Sequence, residues 1–107
     1  MVTLTNTMQV EDLLNRVGKI IFVKYYKDFK ELETKNVPNT VVIEKIQENF
    51  TQKSKNSRTA KAKRIFAEGK QIEALKLIVE SNHPSVQPIK EKANELLRKE
   101  LNQENIL

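Results

Sequence analysis

GKIIFVKYYKDFK, residues 18–30, decides the fold. Inside it, KIIFVKYY is β-branched and aromatic, and read alone it is a strand. The flanks decide otherwise. Val10, Leu14, Val17, Ile21, Tyr25, Phe29 and Leu32 recur every three or four residues on both sides of the run, which is one helical stripe. The spacing predicts a helix from near Thr7 to about Leu32. Asn6 or Thr7 would cap it, and Glu11 and Asp12 suit its positive end. Phe22 and Tyr26 widen the stripe to about half the circumference, beyond the usual ~100° arc. Leu13, Ile20 and Val23 fall on the other side. A helix so apolar is expected at the centre of the fold, with the off-stripe residues covered by another element or by a second copy of the chain. A homodimer would also place two basic helices for two half-sites.

Outward from this helix the punctuation is clear. Pro38 forbids a helix across TKNVPNT, and Asn39 or Thr40 is the expected cap of the next. The second helix is expected at about 40–50, burying Val42, Ile43, Ile46 and Phe50. The third starts near Ser54 to Ser57 and runs to Glu68, burying Ala62, Ile65 and Phe66. Gly69 then reads as a left-handed residue ending it. The fourth, about 71–81, buries Ile72, Leu75, Ile78 and Val79. SNHPS is a turn. The fifth runs from near Ser85 to about 102 with Pro88 in its first turn, and Val86, Ile89, Ala93, Leu96, Leu97 and Leu101 form its stripe. The expectation is an all-α fold: one small domain of about five helices over residues 1–107. Its ordered core is about 7–102, with frayed ends at 1–6 and 103–107.

Composition agrees. Two Gly and three Pro in 107 residues are too few for a turn-rich all-β domain. No cysteine is present, so neither a disulfide framework nor a thiolate metal site is expected, and a reducing cytoplasm is the natural compartment. The opening MVTLTNTMQV has no basic region ahead of an apolar run, so a signal peptide is not expected. No apolar stretch approaches the ~20 residues that span a bilayer, and no membrane partner is expected.

Net charge is +5, and its distribution is uneven. Residues 51–67, TQKSKNSRTAKAKRIFA, carry Lys53, Lys55, Arg58, Lys61, Lys63 and Arg64 and no acid. The remaining 13 Lys and Arg face 14 Asp and Glu. On a helical wheel, Ala62, Ile65 and Phe66 point to the core. Ser57, Ala60, Lys61, Arg64 and Ala67 point away, with Lys63 and Arg58 at the edges. Small residues admit close approach and long cations reach beyond it, the mixture a helix needs to meet phosphates in a major groove. Ser54 and Ser57, near the helix start, could add phosphate contacts. The bland alternative is a solvated face. Against it stands the lack of any compensating acid, whereas the first and fifth helices interleave Lys with Glu and Asp.

In outline, residues 40–68 resemble a helix-turn-helix. The usual turn glycine is absent, and the turn region TQKSKNS is polar and longer. The analogy makes Arg58, Lys61 and Arg64 contacting residues. A second likeness overlaps it. RIFAEGKQIEALKLIVESNHP resembles the core of one tetratricopeptide repeat in Ile65, Gly69, Ala74 and Ile78. It covers about twenty residues, and Pro84 falls near but not on the repeat's terminal proline. No second copy follows at the repeat period, so it implies a single αα-hairpin and a protein-interaction role.

Catalytic chemistry is sparse. His83, beside Pro84, is the sole histidine, and Gly18 and Gly69 are the only glycines. No GxSxG elbow, phosphate-cradling loop or metal-ligand set can be assembled. Neither catalysis nor a cofactor is expected. Phe22, Tyr25, Tyr26 and Phe29 could stack bases beside Lys24 and Lys27, but at helical spacing they read as core. The leading expectation is nucleic-acid binding, DNA before RNA, through Lys53, Ser54, Lys55, Ser57, Arg58, Lys61, Lys63 and Arg64. The alternative is a module for an acidic protein partner, an adaptor or inhibitor using its αα-hairpin or the spare apolar face of the first helix.

Overall fold

The computed structural model describes residues 9–105, and among them are seven α-helices, one 3₁₀ helix and no strand. The helices are α1 (Val10–Val17), α2 (Lys19–Lys24), α3 (Tyr26–Thr34), α4 (Asn39–Lys45), α5 (Gln52–Ala67), α6 (Gln71–Glu80) and α7 (Lys90–Asn105), with the 3₁₀ turn at Pro84–Ile89. The fold is all-α. The expected caps Asn6 and Thr7 and the expected N-terminal frayed end lie outside the described residues.

The first predicted helix is three helices. α1 stops because Gly18 takes φ 94° and ψ 126°, a conformation few residues other than glycine adopt. The turn releases Val17's carbonyl from the helical ladder. Arg58, reaching across from α5, donates to that carbonyl from Nη1 at 2.7 Å. A β-carbon on Gly18 would sit 3.0 Å from the same nitrogen. Gly18→Ala is therefore expected to cost about 1–3 kcal/mol through backbone strain. The measurement is the midpoint of chemical unfolding, and an unshifted midpoint would mean that Gly18 holds no special conformation.

The second break is milder. Tyr25 has φ −109° and ψ 24°, and backbone hydrogen bonds from Tyr25 to Ile21 and from Phe29 to Tyr25 run through it. Its hydroxyl donates to Glu48 Oε1 at 2.8 Å and accepts from the Gln47 amide at 3.0 Å. Lys24 pairs with the same Glu48 at 2.6 Å. The chain after α4 is thus pinned across the break. The hydrogen bond from Lys24 holds the Glu48 carboxyl below its ordinary range. The stability this adds is present above the ordinary carboxylate pKa and is lost as pH falls through the lowered one.

Two of the three off-stripe residues face inward: Leu13, about 40° from Val17 on α1 itself, and Val23, between the two breaks. Leu13 and Val23 are buried by this chain alone, while Ile20 remains 42% exposed. The apolar argument for a second copy therefore shrinks from three residues to one. The core centres on Phe22, whose ring lies 5.4, 6.5 and 5.7 Å from those of Tyr26, Phe29 and Phe66. α5 supplies Thr59, Ala62, Ile65 and Phe66 to it and lies against α1, α3 and α4. The centre is shared between α5 and the first three helices, rather than held by the first predicted helix alone.

Other boundaries move for local reasons. α4 ends at Lys45, five residues short of expectation, because Ile46 turns extended and buries its side chain. Asn39 lies inside α4, and Pro38 occupies the cap position with no side-chain bond. α5 begins earlier than expected, at Gln52, since Thr51 Oγ1 accepts the Ser54 amide at 3.0 Å. Its end is as expected: Gly69 has φ 69°, with Gly69 N–H bonded to Phe66 and Lys70 N–H to Ile65, the Schellman arrangement. α6 packs chiefly on α7 and α1, with little contact to α5. Pro88 sits inside the 3₁₀ turn, so the last α-helix starts only at Lys90. That helix persists to Asn105, past the expected limit near 102. Glu100 ties α7 to α3. Nearly buried, it accepts from Tyr26 Oη at 2.5 Å and from Lys30 Nζ at 2.9 Å. Burial and then this hydrogen bond push the Tyr26 hydroxyl pKa far above its ordinary value. No helix among the described residues is long and apolar enough to cross a membrane.

Candidate nucleic-acid interface

α5 carries the basic stretch as one sixteen-residue helix. Thr59, Ala62, Ile65 and Phe66 are buried, which fixes the helix's rotation. At 100° per residue, Lys53, Asn56, Ser57, Ala60, Lys61, Lys63, Arg64 and Ala67 occupy the opposite arc. Lys53, Asn56, Ala60 and Ala67 are exposed; Ser57, Lys61, Lys63 and Arg64 are half-buried. The arc spans about 160°, with Lys61 and Lys63 at its edges, Lys53 and Arg64 near its midline, and Ser57, Ala60 and Ala67 between them.

The eight candidate residues separate by what their polar atoms already do. Arg58 turns into the protein. Besides Val17's carbonyl, it donates from Nε to Ser54 Oγ at 2.9 Å, and its guanidinium lies 3.8 Å over the Phe50 ring. It is a strut between α5 and the Gly18 turn, not an outward contact on this arc. Ser54 is consumed likewise, its amide by Thr51 and its hydroxyl by Arg58. Ser57 is no terminal residue, because the helical ladder already begins with Lys55 N–H bonded to Thr51. Its hydroxyl accepts from Lys61 at 3.2 Å. Arg64 points outward but donates to Glu68 at 2.7 Å. That bond holds the Glu68 carboxyl below its ordinary range and offsets the arginine's charge. Lys55 stands at the N-terminal turn on the side nearer the core. Among the described residues, no carboxylate lies within ion-pair distance of Lys53, Lys55, Lys61 or Lys63. Of the eight candidates, Lys53, Lys61 and Lys63 are the cations left both outward and without an acid partner among the described residues.

Tertiary structure adds a cluster hidden in the linear order. Lys27 and Lys30 of α3 meet Lys92 and Lys99 of α7 around a cleft of about 270 Å³. Its one lining carboxylate, Glu100, is already occupied by Tyr26 and Lys30. Along the chain each of these lysines has an acid nearby, so local charge balance concealed the grouping. The spacing of Lys27 and Lys30 at three residues and of Lys92 and Lys99 at seven, each pair on one helix face, was its sequence signal.

Compared with family models, curated proteins and solved structures, the chain matches none.

Proposed function

We propose that this chain is a non-enzymatic nucleic-acid-binding protein that meets duplex DNA through the outer arc of α5. The observation that carries the reading is that arc: Lys53 near its midline and Lys61 and Lys63 at its edges, without acid partners among the described residues, around the small residues Ser57, Ala60 and Ala67. Ala60 and Ala67 let a phosphate backbone approach, and the ammonium groups then reach phosphates on either side. Arg64 can join by exchanging Glu68 for a phosphate. The helix start adds a second argument. Lys53 and Lys55 stand near the positive end of α5, whose first turn holds no acid, so they oppose the helix macrodipole. A polyanion at that end removes the conflict. α4 and α5 are consecutive helices that pack together, the helix-turn-helix outline, with α5 in the reading position.

The same cations suit an acidic protein surface, which is the second reading. The spare apolar face expected for it is reduced to Ile20, since Leu13 and Val23 are buried. The test is fluorescence anisotropy with a labelled random duplex across a salt series. Expected is binding at low salt that weakens linearly in log salt, with a slope near −0.9 per phosphate engaged. With three to four phosphates engaged the slope is roughly −3. No binding at low salt overturns the DNA reading and passes the arc to the acidic-protein one.

A further inference from the structure

Gly18 opens a cleft on the molecule that the DNA reading leaves unused. It measures about 390 Å³ and lies between the α1–α2 turn and the 3₁₀ segment, within the range of small-ligand sites. Its walls divide by chemistry. Ile20, Ile21 and Val86 are apolar; Lys19, Arg58 and His83 are basic or donors; no carboxylate lines it.

The polar groups are held in place before any ligand arrives. Arg58 is fixed by Val17's carbonyl, Ser54 and the Phe50 ring. Lys19 is tethered to Asn15 Oδ1 at 3.1 Å. His83 Nδ1 accepts the Ser85 amide at 3.2 Å. With that nitrogen accepting, the neutral ring carries its hydrogen on Nε2 and offers it as a donor. Sites with donors ordered in advance lose little entropy on binding. The absence of glycine's side chain is part of the construction, because a β-carbon at residue 18 would press on Arg58 Nη1.

From the convergence of Lys19, Arg58 and His83 on a carboxylate-free cleft with Ile20, Ile21 and Val86 beside them, we infer a binding site for a small phosphate monoester with an apolar organic group. The phosphate would sit among the three nitrogen-bearing side chains, and the organic group against the isoleucines and the valine. A duplex is too wide for this space, so the site is distinct from the α5 arc. Only Arg58 belongs to both neighbourhoods, and it faces this one.

The test is an amide-resonance titration of the full chain with phenyl phosphate, inorganic phosphate and phenol. Expected are saturable shifts at Gly18, Lys19, Ile20 and Ser85 with phenyl phosphate. Inorganic phosphate should bind at least about tenfold more weakly for want of apolar contact, and phenol should not shift these resonances. His83→Asp keeps a strong capping side chain for the 3₁₀ turn but places a negative charge in the cleft, and it should abolish binding. Lys19→Gln should weaken it about tenfold, as removal of one charge-assisted hydrogen bond does. A further arm compares a single-stranded oligonucleotide with and without a 5′-phosphate. Shifts in the cleft that require the 5′-phosphate would identify a nucleic-acid end as the ester's source, whereas their absence beside phenyl phosphate binding identifies a free metabolite. Non-saturating shifts spread over the α5 lysines, or His83→Asp binding as tightly as the parent, would overturn the site.

Discussion

Phe22→Ala is expected to cost about 3–5 kcal/mol of folding stability, a large share of the ~5–15 kcal/mol that holds a domain together. The ring is fully buried, and its removal leaves Tyr26, Phe29 and Phe66 facing a void. Phe66 comes from α5, so the void opens at the joint between the first three helices and the basic helix. The neighbourhood cannot close over it easily, because Gly18 and Tyr25 fix the path of α2 from both ends. Ile20→Ala is the control from the same short helix. Ile20 is 42% exposed, and its replacement should change stability by no more than about 0.5 kcal/mol. Chemical unfolding followed by far-UV circular dichroism measures both. Equal effects would mean that the rotation of α2 about its axis is wrong, and with it the placement of the aromatic cluster.

The second large effect concerns the α5 arc. Lys61→Glu and Lys63→Glu together reverse both edges of the outer face. Each side chain is half-buried, without a carboxylate partner among the described residues and clear of the core, so stability should change by about 0.5 kcal/mol or less per site. If the arc meets duplex DNA, the salt slope should fall by about two, near 0.9 for each phosphate no longer engaged. Repulsion by the new carboxylates then removes most remaining affinity. A control reverses Lys76, exposed on α6, and Arg98, which shares a mixed-charge cleft with Glu91 and Glu95, and should leave the slope nearly intact. A third variant reverses Lys27 and Lys99 in the cleft between α3 and α7. If it abolishes duplex binding while the α5 pair does not, the interface belongs to the α3–α7 lysines. If all three variants bind like the parent, neither surface meets DNA.

Arg58 shows how a side chain's partner escapes a linear reading. On a wheel at 100° per residue it falls between Ile65 and Ala62, on the buried side of α5 and not at the edge of the exposed face. Its length lets it reach a carbonyl forty-one residues away that Gly18 has set free. A local pattern contains no record of that carbonyl. Arg64 differs: its partner Glu68 is four residues on, so the compensating pair was open to inspection in the sequence, at the end of the acid-free run. The lysines of α3 and α7 fail in the opposite way, for balance within each helix concealed an excess created where two helices meet.

By itself the sequence determined the helical class, most helix centres, the buried stripe from Val10 to Leu32, the Gly69 terminus of α5 and the acid-free run on that helix. These depend on periodicity and on neighbours within a turn or two, which a linear pattern records. Tertiary structure alone decided that the first helix breaks at Gly18 and Tyr25, that Val23 is buried, and that Arg58 is a strut. It also decided which cations remain outward and uncompensated among the described residues, and that a cleft opens beside Gly18. Each of these depends on groups brought together from distant parts of the chain. A carbonyl released at residue 17 becomes tolerable only when a guanidinium from α5 arrives to donate to it.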